Sequence, residues 1–255
     1  VFTVGDPERV PLVSQYFDQV DFQINKREFV THTGWKNGQK VTVISTGMGT
    51  DNIEILMTEL DALVNVDLEN REIKEKKTSL NIIRIGTSGS MQADIPVGSH
   101  LASEISIGLD TLMTFYPDLK GDQSLALAIQ KNLNLLFAPY QASASPLLLQ
   151  KLDESFLKGV TVTCPGFYAP QGREVRLQPR FDSFIEKIAA TQSKGKRPTN
   201  FEMETAGYYS MGKLLGHEML SLNAIVANRP LKKFDAQADK TVDSLIQKAL
   251  NIFTR

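Results

Sequence analysis

Asn-Ile-Ile-Arg-Ile-Gly-Thr-Ser-Gly-Ser-Met, residues 81–91, is the stretch that decides the fold. It begins as an apolar run typical of a strand that is buried on both faces. We expect an abrupt turn over Gly86–Ser90, because small residues let the backbone bend tightly and approach a ligand. Such a turn can direct several backbone N–H groups and hydroxyls at one anion. The spacing matches neither GxGxxG nor a P-loop, so it predicts no dinucleotide or nucleoside triphosphate site.

Arg84 interrupts the apolar run. A guanidinium in a buried strand is costly unless it is paired, so it requires an anionic partner. A carboxylate in a structural ion pair and a bound anionic ligand both meet this need, and the stretch alone favours neither. Gly5 and Arg9 form a second candidate anion site, because they lie where a strand passes into a helix that begins near Pro7. A surface arginine beside a turn is the simpler interpretation of Arg9.

Composition limits the class of protein. A chain of 255 residues can form one large α/β domain, and we expect a single domain over residues 1–255. The formal net charge is -1 and the basic residues are dispersed, so neither a nucleic-acid nor a membrane partner is expected. Cys164 is the only cysteine, which excludes an internal disulfide and is compatible with a reducing cytoplasm.

Hydrophobic periodicity predicts strands that alternate with helices. Strands are expected at Val1–Val4, Phe29–Trp35, Lys40–Ser45, Ser99–Ile105, Leu135–Ala138, Gly159–Thr163 and Glu218–Ala227. Helices are expected after Pro7, after Gly49, and at Gln123–Asn132, Ser145–Phe156, Arg180–Thr191 and Val242–Phe253. This alternation predicts a three-layer α/β/α fold with a mixed, mostly parallel central sheet and an antiparallel hairpin section. In such sheets ligands bind at the carboxyl ends of the strands.

Two further segments carry chemistry. The loop Cys164–Arg173 combines aromatic rings, a glutamine and an arginine, which together could stack on a planar ring and bind its polar edge. Glu202 and Glu204 project from the same side of an extended segment, and two such carboxylates repel unless a cation or hydroxyl donors lie between them. Sugar hydroxyls and a metal ion are both possible, but the histidines show no ligand spacing with these acids, so no metal site is predicted.

Six motifs then occur in one order: Gly5–Arg9, Arg27–Phe29, Ser45–Gly49, Arg84–Gly89, Phe201–Ala206 and Val226–Arg229. Together they resemble the nucleoside phosphorylase superfamily, and within it the uridine phosphorylases most closely. They extend from residue 5 to residue 229, so the resemblance covers nearly the whole chain.

The resemblance implies reversible phosphorolysis, in which uridine and phosphate give uracil and α-ribose 1-phosphate, without a metal or another cofactor. It implies a phosphate site made of Gly5, Arg9, Arg84 and Thr87, with Arg27 contributed by a neighbouring subunit. It assigns the ribose to Glu202, Met203 and Glu204, and the base to Phe167, Gln171, Arg173 and Arg229. The chemistry would be carried by Arg84, Gln171, Arg173 and Glu204. The shared site implies at least a dimer, and the family usually forms hexamers.

The main internal discriminator is the motif Ala227-Asn228-Arg229. Purine-specific relatives have an aspartate in this motif that protonates the base, and this chain has none. Pyrimidine nucleosides are therefore favoured. The alternatives are a purine or broad-specificity phosphorylase, a hydrolytic nucleosidase and a nucleoside-binding protein without activity. We also expect Arg84→Ala to abolish phosphate-dependent turnover and to leave the fold intact.

Overall fold

The computed structural model describes residues 1–254. The strands in this range are β1 (Phe2–Val4), β2 (Gln19–Lys26), β3 (Phe29–Lys36), β4 (Gln39–Ser45), β5 (Val66–Asp67), β6 (Glu72–Ile73), β7 (Asn81–Ser90), β8 (His100–Gly108), β9 (Tyr140–Ser143), β10 (Phe156–Thr163), β11 (Pro198–Glu202), β12 (Glu218–Asn228) and β13 (Lys233–Phe234). The α-helices are α1 (Arg9–Ser14), α2 (Thr50–Asn65), α3 (Ser124–Leu133), α4 (Pro146–Leu149), α5 (Phe184–Ala190), α6 (Thr205–Leu215) and α7 (Ala238–Phe253). Short 3-10 helices span Leu112–Phe115 and Ala169–Gln171.

The strand β7 organises the sheet because it pairs with three other strands. One edge pairs in parallel with β12 from Asn81 to Ser90. The other edge pairs first with β1, at Ile83 and Arg84, and then antiparallel with β11, at Gly89 and Ser90. Since β12 also pairs with β8, β8 with β10 and β10 with β11, these five strands close into a barrel.

The remaining strands extend the sheet beyond β1. β1 pairs in parallel with β4, and β4, β3 and β2 follow as an antiparallel meander. The turn between β3 and β4 is formed by Asn37 and Gly38, both with positive φ, as in the two-residue hairpins that this dipeptide favours. The sheet is therefore mixed, with an antiparallel hairpin section, which confirms the predicted fold class.

Helices cover the sheet and bury its apolar side chains. α6 contacts α2 and the barrel strands β8, β10 and β12, whereas α7 contacts β7, β12 and α1. Tyr208 and Tyr209 of α6 are each 1% exposed and lie in the same core cluster as Ile82 and Ile83 of β7. A second cluster joins α3 and α5 to β10. None of the helices in residues 1–254 is long and apolar enough to cross a membrane.

The predicted turn over Gly86–Ser90 is wrong. β7 continues to Ser90, and neither Gly86 nor Gly89 has a positive φ. The backbone of this segment pairs with β12 throughout, so it stays extended and its N–H groups alternate between the two edges of the strand. Pairing with two strands at once straightens a segment that its local composition would bend.

Two predicted elements near the middle of the chain are also wrong. Leu135–Ala138 is not a strand, because Asn134 takes the left-handed conformation and Leu135 N–H donates to Gln130 O, which caps α3. The helix predicted at Ser145–Phe156 ends at Leu149. Beyond the helix, the side chain of Asp153 accepts from the backbone N–H of Ser155 in a local turn that leads into β10.

The other predicted elements are present with shifted ends. The strand predictions at Val1–Val4, Phe29–Trp35, Lys40–Ser45, Ser99–Ile105, Gly159–Thr163 and Glu218–Ala227 correspond to β1, β3, β4, β8, β10 and β12. The helix predicted at Arg180–Thr191 is shorter and begins at Phe184, since Ser183 has a φ of 51° that no regular helix adopts. The helix α6 was not predicted.

Candidate active site

One cavity of about 560 Å³ lies at the carboxyl ends of β1, β4 and β11. This volume is within the usual range for small-molecule sites. Its wall contains most of the residues that the sequence singles out, drawn from motifs that lie far apart in the chain: Gly5, Arg9, Arg84, Thr87, Phe167, Gln171, Arg173, Glu202, Met203 and Glu204. The cavity therefore lies at the edge of the sheet where the sequence predicted a ligand site.

Arg9 lies in the cavity wall at the first residue of α1. Its guanidinium has no hydrogen-bond or ion-pair partner among residues 1–254. Desolvation lowers its pKa and the charge of Arg84 lowers it further, although the carboxylates of Asp6 and Asp239 oppose the shift. An anion bound between the two arginines would relieve this repulsion, so the electrostatics of this end of the cavity favour a negatively charged ligand.

Arg84 is only 5% exposed and is already paired. Its Nη2 lies 2.6 Å from Oε2 of Glu204 and 3.0 Å from Oε2 of Glu202. Its Nη1 donates to Oδ1 of Asn223 at 3.1 Å and to Oγ of Ser221 at 3.4 Å. Both terminal nitrogens are thus engaged, and the structural ion pair that the sequence left open is present. Nε is the guanidinium nitrogen without a partner in residues 1–254.

Gly86 leaves the space that the Arg84 guanidinium occupies. A Cβ atom at this position would lie 2.0 Å from Nη1 of Arg84, far inside van der Waals contact. Desolvation lowers the pKa of Arg84, but the carboxylates of Glu202 and Glu204 outweigh it and the pKa is raised. The arginine therefore stays charged, and the glycine of the motif serves close packing rather than a turn.

Glu202 is a fully satisfied buried carboxylate at the end of β11. It accepts from Thr163 Oγ1 at 2.7 Å and from the backbone N–H groups of Glu204 and Thr205 at 2.9 Å. These N–H groups begin α6, where the helix dipole favours a negative charge. Glu202 therefore links the N-terminus of α6 to Arg84 and stabilises this part of the cavity wall.

Glu204 is the carboxylate with capacity left for a ligand. Its Oε1 accepts from Gly49 N–H at 2.8 Å and its Oε2 from Arg84. Burial raises its pKa, and Glu202 adds to the rise, although Arg84 and the Gly49 N–H oppose it. Two oxygens can accept about four hydrogen bonds, so acceptor sites remain for the hydroxyl groups of a sugar.

The loop after β10 forms the opposite wall. Arg173 stacks on the ring of Phe167, with its Cζ 3.8 Å from the ring centroid, and its Nη1 donates to Oε1 of Gln171 at 2.6 Å. Gln171 is 3% exposed, whereas Phe167 is 49% exposed. Because Arg173 occupies the amide oxygen, Gln171 has its amide N–H groups available for a ligand.

Two predicted residues do not line the cavity. Arg229 donates from Nη2 to the backbone oxygen of Gln171 at 2.8 Å and lies over Phe201, so it supports the loop from behind. Arg27 is exposed in the turn between β2 and β3, with a φ of 55°. This turn reaches the cavity rim, since a Cβ at Gly47 would lie 3.2 Å from Cγ of the adjacent Glu28.

Sequence reasoning assigned no role to several residues of this region. Met48, Ser88 and Phe234 line the cavity, and Asn223 binds Arg84 from outside it. A signal for Asn223 exists, because Ser221 and Asn223 alternate with leucine and alanine in a strand that is otherwise apolar. Such alternation predicts a polar face toward other polar side chains.

The arrangement combines three binding capacities in one cavity. The arginine end suits an anion, Glu204 suits hydroxyl groups, and the Gln171–Arg173 pair suits the polar edge of a planar ring. No cluster of three or more His, Cys, Asp and Glu side chains able to hold a metal occurs in the described part of the chain, residues 1–254. Burial raises the pKa of the Cys164 thiol, which keeps it protonated.

Comparisons with known proteins agree with this chemistry. The uridine phosphorylase of Thermococcus kodakarensis is 27% identical over 252 residues, covering 99% of this chain and 81% of that protein. The DeoD-type purine nucleoside phosphorylase of Bacillus velezensis is 26% identical over 223 residues, covering 87% of this chain and 79% of that protein. A crystal structure of a Trypanosoma brucei nucleoside phosphorylase, described as showing uridine phosphorylase activity, superposes with a TM-score of 0.84 and 28% identity, covering 98% of this chain and 92% of that chain.

The family assignment rests on the whole chain. A model of the phosphorylase superfamily matches residues 1–254, which includes every strand of the barrel and every residue of the cavity wall. The chain belongs to the phosphorylase superfamily.

Proposed function

We propose that the protein catalyses the reversible phosphorolysis of uridine to uracil and α-ribose 1-phosphate. The observation that carries this proposal is that one cavity holds an anion-attracting arginine, a ligand-accessible carboxylate and an amide–guanidinium pair. These match the phosphate, the ribose hydroxyls and the polar edge of the uracil ring. Inorganic phosphate is then a co-substrate, and no metal or other cofactor enters the proposed chemistry.

Phosphate would bind at the arginine end. Arg9 offers an unpaired guanidinium there, and Arg84 contributes positive charge and its Nε–H group, while Gly5 and Thr87 complete the wall. Charge-assisted hydrogen bonds to a dianion are the strongest that side chains make. Because both terminal nitrogens of Arg84 are engaged, Arg9 would supply the bidentate contact.

The ribose would lie between this anion and the base. Glu204 would accept hydrogen bonds from the sugar hydroxyls, with Met203 beside it and Glu202 holding the wall. As the glycosidic bond lengthens, the positive charge that develops on the ribose is stabilised by the phosphate and the two carboxylates. Phosphate then captures this cation from the side opposite the departing base.

The departing base would be stabilised by the loop wall. Phe167 offers a half-exposed ring face, and the N–H groups of Gln171 and Arg173 can donate to the uracil oxygens as negative charge develops on them. Donors that are fixed before the reaction provide the oxyanion type of stabilisation. Arg229 would maintain this wall through its bond to the Gln171 backbone.

Asn228 supports a pyrimidine rather than a purine substrate. It is 1% exposed, its Nδ2 donates to the backbone oxygens of Gln92 and Ile95, and its Oδ1 accepts from Leu231 N–H. An amide is not an acid and cannot protonate a base, and the hydrogen bonds of this side chain are already engaged in the turn that it holds.

Arg27 is proposed to act in the cavity of a neighbouring subunit. It is exposed and unpaired in residues 1–254, and the turn that carries it lies beside Gly47 at the cavity rim. The enzyme would then be at least a dimer, and repetition of this contact would build a hexamer. It would serve pyrimidine nucleoside salvage in the cytoplasm. A fully active monomer would contradict the shared site.

The test is cleavage of uridine followed by ultraviolet absorbance, with and without inorganic phosphate, beside an inosine control. We expect uracil release that requires phosphate, with inosine unchanged. Release without phosphate would identify a hydrolase and remove the roles given to Arg9 and Arg84. Cleavage of inosine alone would identify a purine enzyme, and binding without turnover would identify a nucleoside-binding protein.

A further inference from the structure

A line of buried polar side chains, which we name the polar belt, touches all five strands of the barrel. It consists of Arg84 on β7, Asn223 on β12, Ser103 on β8, Thr161 on β10, Asn200 on β11 and Ser88 on β7. After the 3.1 Å bond from Arg84 to Asn223, the successive distances are 3.1, 2.5, 3.0 and 2.9 Å. The belt therefore leaves β7 at Arg84 and returns to it four residues later.

The charge of Arg84 sets the orientation of Asn223. A guanidinium has only donors, so the Asn223 side chain must present its oxygen to Nη1 of Arg84. Its amide nitrogen then donates to Oγ of Ser103, which donates in turn to Thr161. Both hydrogen-bonding ends of the amide are satisfied, although Asn223 is fully buried.

Burying an asparagine in a barrel strand costs more desolvation free energy than burying an apolar side chain of the same size. Apolar side chains of similar shape would avoid the desolvation of an amide at little cost to the fold. Asn223 is not in the cavity wall, so it cannot contact a substrate directly. What distinguishes it from the rest of the belt is its bond to the arginine that the proposed function places beside phosphate.

We propose that Asn223 is a positioning residue for phosphate binding. It holds the Nη1 side of the Arg84 guanidinium while Glu204 and Glu202 hold the Nη2 side, so the cation is fixed in one orientation before phosphate arrives. A group ordered in advance loses less entropy on binding. This inference rests on the proposed function, because it assumes that Arg84 serves a phosphate site.

The test compares Asn223→Ala with Asn200→Ala. Both changes remove a fully buried amide from the same belt, but Asn200 does not touch Arg84. Wild-type protein is measured first, both for phosphate-dependent uridine cleavage and for the rise in melting temperature that inorganic phosphate alone produces. If the wild type shows neither effect, the proposed function fails and the positioning role fails with it; if it shows both, the variants test the positioning role alone.

We expect Asn223→Ala to raise the phosphate KM about tenfold, as for the loss of one hydrogen bond to a charged group, and to lose most of the phosphate-induced rise in melting temperature. The uridine KM should change less than about threefold, because Glu204 keeps its bond to Gly49. Both variants should lower the melting temperature that is measured without phosphate by similar amounts. Asn200→Ala should not change the phosphate KM.

Equal phosphate KM values in the two variants would show that Asn223 is merely structural. If the alanine variants do not fold, Asn223→Thr and Asn200→Thr replace them, since threonine suits a strand and retains an oxygen. A rise of about threefold in the phosphate KM for Asn223→Thr alone is then expected, because the shorter side chain weakens the bond to Nη1.

Discussion

The arginine–carboxylate end of the cavity and the loop end are built in different ways. Arg84, Glu202 and Glu204 are each at most 6% exposed and are bound by side chains and backbone from several strands. In the loop, Arg173 binds Phe167 and Gln171, which lie within six residues of it in the chain. The first end is held by the closed barrel, and the second by contacts within one connection together with the bond from Arg229 to the Gln171 backbone.

Because of this difference, we expect substitutions at the barrel end to lower both stability and activity, and substitutions in the loop to lower activity alone. Removing a member of the barrel cluster leaves another buried charge without its partner. Removing a loop side chain exposes groups that water can solvate. The barrel end therefore couples folding to phosphate binding, whereas the loop end can change specificity without a cost to the fold.

The largest effect is expected for Arg84→Ala. Uridine phosphorolysis should be lost, and the free energy of unfolding should fall by about 3–5 kcal/mol, because Glu202 and Glu204 would be left buried without a cation. This replaces the expectation from sequence alone that the fold would remain intact. Denaturant unfolding measures the change. Arg9→Ala is the control, since it should weaken phosphate binding with little loss of stability; equal stabilities for the two variants would contradict the comparison.

Arg173→Ala should affect activity alone. Losing one donor to the developing negative charge raises the barrier by about 2.7–4 kcal/mol, or about 10²–10³-fold in kcat. The unfolding free energy should change by less than about 0.5 kcal/mol, because the side chain is in a loop and binds only its neighbours. Steady-state kinetics and thermal unfolding measure the two effects. A large loss of stability would show that the loop is coupled to the core.

Gly86→Ala sharpens the description of the barrel end. The added methyl group would meet Nη1 of Arg84 at 2.0 Å, so the guanidinium must move and a destabilisation of about 1–3 kcal/mol is expected. Gly89→Ala is a matched control on the same strand, since its nearest contact is 3.7 Å from Phe201. Similar unfolding curves for the two variants would show that the arginine adapts without strain.

The pH dependence is the smallest expected effect. Burial raises the pKa of Glu204, so as pH is lowered this carboxylate is protonated sooner than an ordinary glutamate. The value of kcat/KM for uridine should fall with it, which gives the pH profile an acid limb. The contribution of Glu204 to the stability of the fold changes with pH in the opposite direction. Because its pKa is raised in the folded state, Glu204 stabilises the fold below its unfolded-state pKa of about 4.3, and this contribution is lost as the pH rises through the folded-state pKa. Glu204→Gln should remove the acid limb; its persistence would assign it to another group.

Much of the molecule was predictable from local pattern. The Asn37-Gly38 hairpin, the helix after Gly49 and the C-terminal helix follow from turn chemistry and from apolar periodicity, which act within a few residues. The residue types of the cavity wall were visible in the sequence, but their roles came from the resemblance to the nucleoside phosphorylase superfamily. That resemblance also predicted that Arg9, Glu204 and Gln171 would share one cavity, as they do.

Tertiary structure decided the rest. The glycine-rich end of β7 remains a strand because β12 and β11 pair with its two edges, and neither partner is near it in sequence. The barrel closes through those same pairings, and only its closure brings Asn223 to Arg84. By itself the sequence determined which side chains could bind an anion, hydroxyls and a base, since that is a property of residue type. Which partner each one meets depended on strand pairing across the whole chain, because a buried charge takes the orientation that its surroundings allow.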